Sequence, residues 1–226
     1  MGFSASEAHI MRTPAPLILH GTKLSGHTHR VELLLRMLAL PFEFVNAPAD
    51  VRASAAFRIL NPLGQIPLLQ DGAVTVADSN AILVYLAKRY APGSNWLPDD
   101  AAGAAAVQRW LSVAAGEVRF GPALARAATL WQAPGDRAQA SALSTRLLTF
   151  MEAHLAARDF LAAPHATIAD LACYSYLAHA PEGGVAIAPY PALQAWLARV
   201  AALPGFVAMP ASPLPAAPLP ASARPS

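Results

Sequence analysis

The sequence predicts an α/β domain followed by an all-α domain, and three observations carry that prediction. Up to Tyr90 the apolar pattern alternates between strand and helix periods in the order βαβαββα, ending on a hairpin-linked pair of strands. Ala91-Pro92-Gly93-Ser94-Asn95-Trp96-Leu97-Pro98 then interrupts every period, as a linker does. From Asp99 to Phe206 no strand pattern returns, and alanine-rich helical periods fill the chain.

Taken in order, Leu17 to His20 reads as a short strand after Pro14 and Pro16. In Ser25 to Leu40, Val31, Leu34, Leu35 and Leu38 recur at helical spacing, and Pro41 stops the helix. Phe42 to Val45 is a second strand, followed by an irregular, partly helical stretch from Asp50 to Leu60. Asn61-Pro62-Leu63-Gly64-Gln65-Ile66-Pro67-Leu68-Leu69 is a turn feeding a third strand; Asp71-Gly72 signals a hairpin, with Ala73 to Val76 pairing back. Ser79 to Tyr90 is helical, with Ile82, Leu83 and Leu86 on one face and Asp78-Ser79 at its cap. Beyond the linker, helices are expected at Asp99 to Leu130, kinked near Gly121-Pro122, then at Asp136 to Ala157, Thr167 to His179 and Pro191 to Ala202. Thr167-Ile168-Ala169-Asp170 is a capping box with Asp in place of Glu. These signals divide the chain into a leader (1–13), an α/β domain (14–91), a linker (92–98), a helical domain (99–206) and a Pro/Ala-rich tail (207–226) expected to be disordered.

Composition excludes several function classes. An apolar share of 55% against 13% charged residues, with a net charge of +2, leaves no basic surface for nucleic acid. Every apolar run is interrupted before bilayer length, so no membrane span is expected. The first thirteen residues lack the apolar core of a secretory signal, and the match of Met1-Gly2 and Ser6 to a myristoylation pattern is too loose to carry weight. The single cysteine, Cys173, can form neither an internal disulfide nor a multi-thiolate metal site, and it sits in an apolar helix as a small hydrophobe. A reducing, cytoplasmic setting follows as an expectation. His27 and His29 have no identifiable third partner, so no metal site is expected.

The block Asn61 to Leu69, the block Asp78-Ser79-Asn80-Ala81-Ile82-Leu83-Val84-Tyr85-Leu86, and Thr167-Ile168-Ala169-Asp170-Leu171 together resemble the cytosolic glutathione transferase family over roughly Leu17 to Phe206. The serine-type, theta-like and bacterial branches are the most similar. The resemblance implies a thioredoxin-like N-terminal domain that holds glutathione as co-substrate, no metal cofactor, a small hydrophobic electrophile as second substrate, and a homodimer.

Residue by residue, it implies that Ile66, before a cis-Pro67, pairs its main chain with the cysteinyl backbone of glutathione, as an added strand pairs with a sheet edge. Asp78-Ser79 opens a helix whose free amides and dipole suit the γ-glutamyl carboxylate, with Gln65 beside it. Arg52 is the candidate for the glycyl carboxylate, and Arg58 its competitor. Ser25, after the first strand and before the first helix, is the candidate catalytic hydroxyl. Lowering a thiol pKa by about 2 units takes about 2.7 kcal/mol, within reach of one hydroxyl bond to an anion, worth about 1.5–3 kcal/mol, together with the helix dipole. As a plain local reading, Ser25 is also a helix N-cap, and Thr22, His27 and Thr28 are rivals for the sulfur.

The departures from the family pattern matter too. Thr28 stands where similar relatives carry cysteine, and His20-Gly21 where the tyrosine classes carry tyrosine; the Ser-Ser-Cys turn of maleylacetoacetate isomerases is missing. Conjugation therefore leads, with glutathione-dependent disulfide or peroxide reduction, or a non-catalytic binding module, as alternatives. The electrophile pocket is expected between the domains, against the helix carrying Trp110, Val113, Glu117, Arg119 and Phe120.

Overall fold

A computed structural model describes residues 16–212. Four strands, β1 (Leu17–Gly21), β2 (Phe42–Asn46), β3 (Leu68–Asp71) and β4 (Val74–Ala77), form one mixed sheet in the order β2-β1-β3-β4. β1 runs parallel to β2 through the crossover helix α1 (Gly26–Met37), and antiparallel to β3. The hairpin strand β4 begins and ends one residue later than its pattern suggested.

Side-chain alternation along the strands sends neighbours to opposite faces. Leu17, Leu19 and Leu69 enter the main core with Val31, Leu34, Ile82 and Leu83 of α1 and α4 (Ser79–Tyr90). Leu68 points the other way, into a small cluster with Ala47 and Phe57 beneath the short helices α2 (Ala49–Ala53) and α3 (Ala55–Leu60). The sheet is thus covered on both faces.

The helical half comprises α5 (Ala101–Val113), α6 (Leu124–Trp131), α7 (Arg137–Leu155), α8 (Ile168–Ala178) and α9 (Pro191–Ala201). Between α5 and α6 the turns widen into a π-helical stretch, Ala114–Ala123, which contains the expected irregularity at Pro122. α8 is buried along nearly its whole length and is the spine of the second domain. Its capping box is complete: Asp170 accepts from Thr167 N at 2.9 Å, Leu161 N at 2.9 Å and Trp196 Nε1 at 2.9 Å.

The tail boundary needs correcting. Phe206 is not the end of ordered packing, because Met209 and Ser212 are buried and the segment from Val207 to Ser212 is hydrogen-bonded to the body of the protein. Polar partners on α1 and α6, invisible to a composition argument, hold it. The leader (1–13) and the remainder of the tail lie outside the described residues.

Candidate active site

A groove of about 430 Å3 runs between the sheet domain and the helical wall, within the size range of small-molecule sites. Its sheet-side rim is the turn before β3. Asn61 Nδ2 donates to Gln65 O at 2.8 Å, and Asn61 Oδ1 accepts from Leu63 N, so one buried side chain staples both ends of the turn. Gly64 adopts φ +61°, and a Cβ there would stand 3.1 Å from the carbonyl oxygen of Arg52; both facts favour glycine. The Ile66-Pro67 bond is cis. Ile66 lies outside the strand ladders, and neither its N–H nor its C=O has a hydrogen-bond partner among the described residues.

Two helix starts open into this groove. Asp78 takes φ 76°, rare for a non-glycine residue, and its carboxylate caps α4 by accepting from Asn80 N and Ala81 N. Ser79 is the first residue of that helix and is buried. At α1, Ser25 is the N-cap, its hydroxyl oxygen accepting from Thr28 N at 3.2 Å. A hydroxyl that accepts through a lone pair still has its proton to donate, so capping and sulfur binding are compatible.

Ser25, Arg52, Gln65, Ile66, Pro67, Asp78 and Ser79 all line this one groove. Arg58 does not, whereas the Nε of Arg52 is buried without a partner among the described residues. Of the three rivals to Ser25, Thr22 and His27 face the groove. Thr28 is turned inward under Gly21 and drops out.

Sequence reasoning missed the central cation. Arg30, on the buried face of α1, is 1% exposed and lines the groove. Its Nη1 donates to Ser79 Oγ at 3.3 Å and to Asn80 Oδ1 at 2.9 Å, while Nε and Nη2 have no partner among the described residues. Burial lowers its pKa, but an arginine starts so high that it stays charged. The signal was present: Arg30 stands one and four residues before Val31 and Leu34, on the apolar side of a helix, where an unpaired charge is costly.

Electrostatics also settle the histidines. Burial first, then the cations Arg30 and Arg119, push the His27 pKa well below its ordinary value. His27 is therefore a neutral imidazole at physiological pH, set edge-on to Tyr176 with ring centroids 4.9 Å apart. His29 is structural: Nε2 donates to Val207 O at 2.7 Å, and Nδ1 accepts from Ser175 Oγ. Among the described residues no three metal-ligating side chains gather into a site.

The helical wall differs in detail from the expectation. Ala115, Arg119, Ala123, Ala127 and Trp131, spaced by four, face the groove together with Arg126 and Tyr176. Of the five residues named from the sequence, only Arg119 does so. Trp110 is a core residue, 2% exposed, and stacks on the exposed Phe150. Cys173 is also fully buried, its thiol pushed up to about 12 by that burial, which rules it out as a nucleophile.

A four-stranded mixed sheet domain, a cis-proline turn, two helix starts that face a groove and an all-helical second wall define the class as a two-domain protein with a binding groove between a thioredoxin-like domain and a helical one. Family models bear this out: the Glutathione S-transferase N-terminal domain matches residues 19–94 and its C-terminal domain residues 132–204. The chain is 35% identical to Glutathione S-transferase 3 of Zea mays over 210 residues, covering 85% of this chain and 92% of that one. It is 32% identical to Glutathione S-transferase theta-1 of Mus musculus over 198 residues, 80% and 81% of the two chains. Among solved structures, a glutathione S-transferase from Pseudomonas fluorescens superposes with a TM-score of 0.81 at 30% identity, covering 86% of this chain and 99% of that one. The protein belongs to the glutathione S-transferase family and is a glutathione transferase.

Proposed function

We propose that this transferase holds glutathione extended along the cis-proline rim, with its sulfur at the start of α1 and a small electrophile against the helical wall. Ile66 pairs with the cysteinyl main chain. The Ser79 amide and hydroxyl, backed by Arg30, take the γ-glutamyl carboxylate; Asp78 faces the ammonium, Gln65 lies alongside, and Arg52 meets the glycyl carboxylate.

The single observation that carries this reading is Arg30, a fully buried guanidinium with two nitrogens unpartnered among the described residues, beside the groove-facing N-terminus of α4. A buried cation of that kind calls for an anion from the ligand. In support, a glutathione transferase homologue from Drosophila mojavensis, 28% identical with a TM-score of 0.73, has been solved with bound glutathione.

In the reaction, the thiol proton leaves to solvent and the thiolate is stabilised by the Ser25 hydroxyl and the first amides of α1. Sulfur then bonds to the electrophilic carbon and, with an aryl halide, the halide departs. Ala123, Ala127, Trp131 and Tyr176 supply the apolar contact. Arg119, with no hydrogen-bond or ion-pair partner among the described residues, suits negative charge gathering on the electrophile. A homodimer and a cytoplasmic setting belong to the same reading; among the described residues no helix is long and apolar enough to cross a membrane.

The test compares three glutathione-dependent assays on the purified chain: conjugation of chlorodinitrobenzene, exchange with hydroxyethyl disulfide, and reduction of cumene hydroperoxide. Conjugation should dominate. Faster disulfide or peroxide turnover shifts the assignment to a reductase, and calorimetry without glutathione binding shifts it to a non-catalytic module.

A further inference from the structure

The segment that follows α9 does more than trail away. Gly205, at φ +79° and against Met37 of α1, turns the chain back over the first helix. His29 Nε2 then holds Val207 O, and Met209 is buried. The segment finishes at Ser212, whose N–H donates to Glu182 Oε1 at 3.2 Å and whose hydroxyl accepts from Arg126 Nη2 at 2.7 Å.

Arg126 is where this path meets the groove. It is 1% exposed, and all three arms of its guanidinium are engaged. Nε donates to Glu182 Oε2 at 2.6 Å, Nη2 to Ser212 Oγ, and Nη1 crosses to the sheet domain, donating to Leu24 O at 2.9 Å. Leu24 immediately precedes Ser25. The turn from Thr22 to Ser25 has its own internal bond, Ser25 N to Thr22 O, and an ion pair from Lys23 to Glu32. Among the described residues, the Arg126 bond is the one hydrogen bond reaching this turn from the helical domain.

A planar fork binding in three fixed directions transmits position in a way that a flexible ammonium does not. We propose that Val207 to Ser212 is a strap which, by orienting Arg126, sets the Leu24-Ser25 turn and so the hydroxyl that faces the glutathione sulfur. Arg126 is then a positioning residue, acting through Leu24 rather than on substrate. The inference rests on the glutathione reading above. A displacement of about 1 Å at a reacting group can cost about 100-fold in rate, so a loosened turn should show in kcat before it shows in binding.

The experiment compares the full chain with a chain ending at Ser212, a chain ending at Phe206, Ser212→Ala and Arg126→Lys. The chain ending at Ser212 should match the full chain. Removing the strap should lower kcat for chlorodinitrobenzene about tenfold and raise the kinetic pKa of the bound thiol by roughly 1 unit, with KM for glutathione within about twofold. Ser212→Ala and Arg126→Lys should lie between, at roughly threefold losses in kcat, with circular dichroism unchanged. Folded variants with full kcat and an unmoved thiol pKa would overturn the proposal, as would a loss already complete in the chain ending at Ser212.

Hydrogen exchange separates this failure from failure of the glutathione reading. The Thr28 amide, bonded to the Ser25 hydroxyl, should exchange about tenfold faster without the strap. If the parent chain turns over no glutathione, that reading falls while faster exchange still upholds the mechanical coupling. Unchanged exchange overturns the coupling itself.

Discussion

The helix starts of this protein follow opposite rules. At α8, Thr167 and Asp170 close the capping box, and Asp170 is further bound by Leu161 N and Trp196 Nε1. At α1 and α4 the caps Ser25 and Asp78 are present, but the first turns face a groove and, among the described residues, the nearby buried cation Arg30 lacks partners for two nitrogens. All three starts carry a side-chain cap; the one packed inside the helical domain contributes to stability, whereas a capped start that faces a groove beside a buried cation is suited to an anion.

Breaking the packed end should have the largest effect. Asp170→Ala strips the acceptor from several buried donors at once and should cost about 3 kcal/mol of stability in denaturant titration, with KM for glutathione unchanged in the fraction that folds. A loss below about 1 kcal/mol would show that the box is not the fastening described.

Next comes the groove-facing end of α1. Ser25→Ala should lower kcat for an aryl halide by about 30-fold, leave KM for glutathione within about threefold, and cost only about 1 kcal/mol of stability through the lost cap. Unchanged kcat would move the sulfur contact to Thr22 or to the helix amides.

Arg30→Met sharpens the contrast further. Replacing an incompletely paired buried charge with an apolar chain of similar reach should hold or raise the thermal midpoint while raising KM for glutathione about tenfold. The opposite outcome, lost stability with KM intact, would make Arg30 a structural residue like Asp170.

The smallest effect is on pH dependence. The pKa values of His27 and His29 are both lowered by burial, so the unfolded chain binds protons that the folded one refuses. Their contribution is whole above about pH 6.5 and is lost as pH falls through the lowered folded values, at no more than about 1.4 kcal/mol per pH unit for each histidine. His29→Gln should flatten part of that acid loss in melts recorded at successive pH values.

Legibility followed the range of the interactions. Ser25, Asp78 and the box at Thr167 were visible because a cap is a contact over two or three residues, written in adjacent letters. The turn from Asn61 to Pro67 was visible for the same reason, its staple reaching from Asn61 only to Gln65. Arg30 looked like one more arginine because its partners Ser79 and Asn80 lie some fifty positions away. The strap looked like disordered Pro/Ala sequence because its fastenings, His29 and Arg126, are remote as well.

What the amino-acid order settles here is the run of strands and helices, their caps, and the turn that forms the sheet-side rim of the groove, since each follows from period, turn chemistry and neighbouring side chains. Which charge is buried at the groove, which wall residues face it, and where the chain's last described residues dock were decided by packing. A buried ion's state depends on what stands within a few ångströms of it, and only folding brings those groups together.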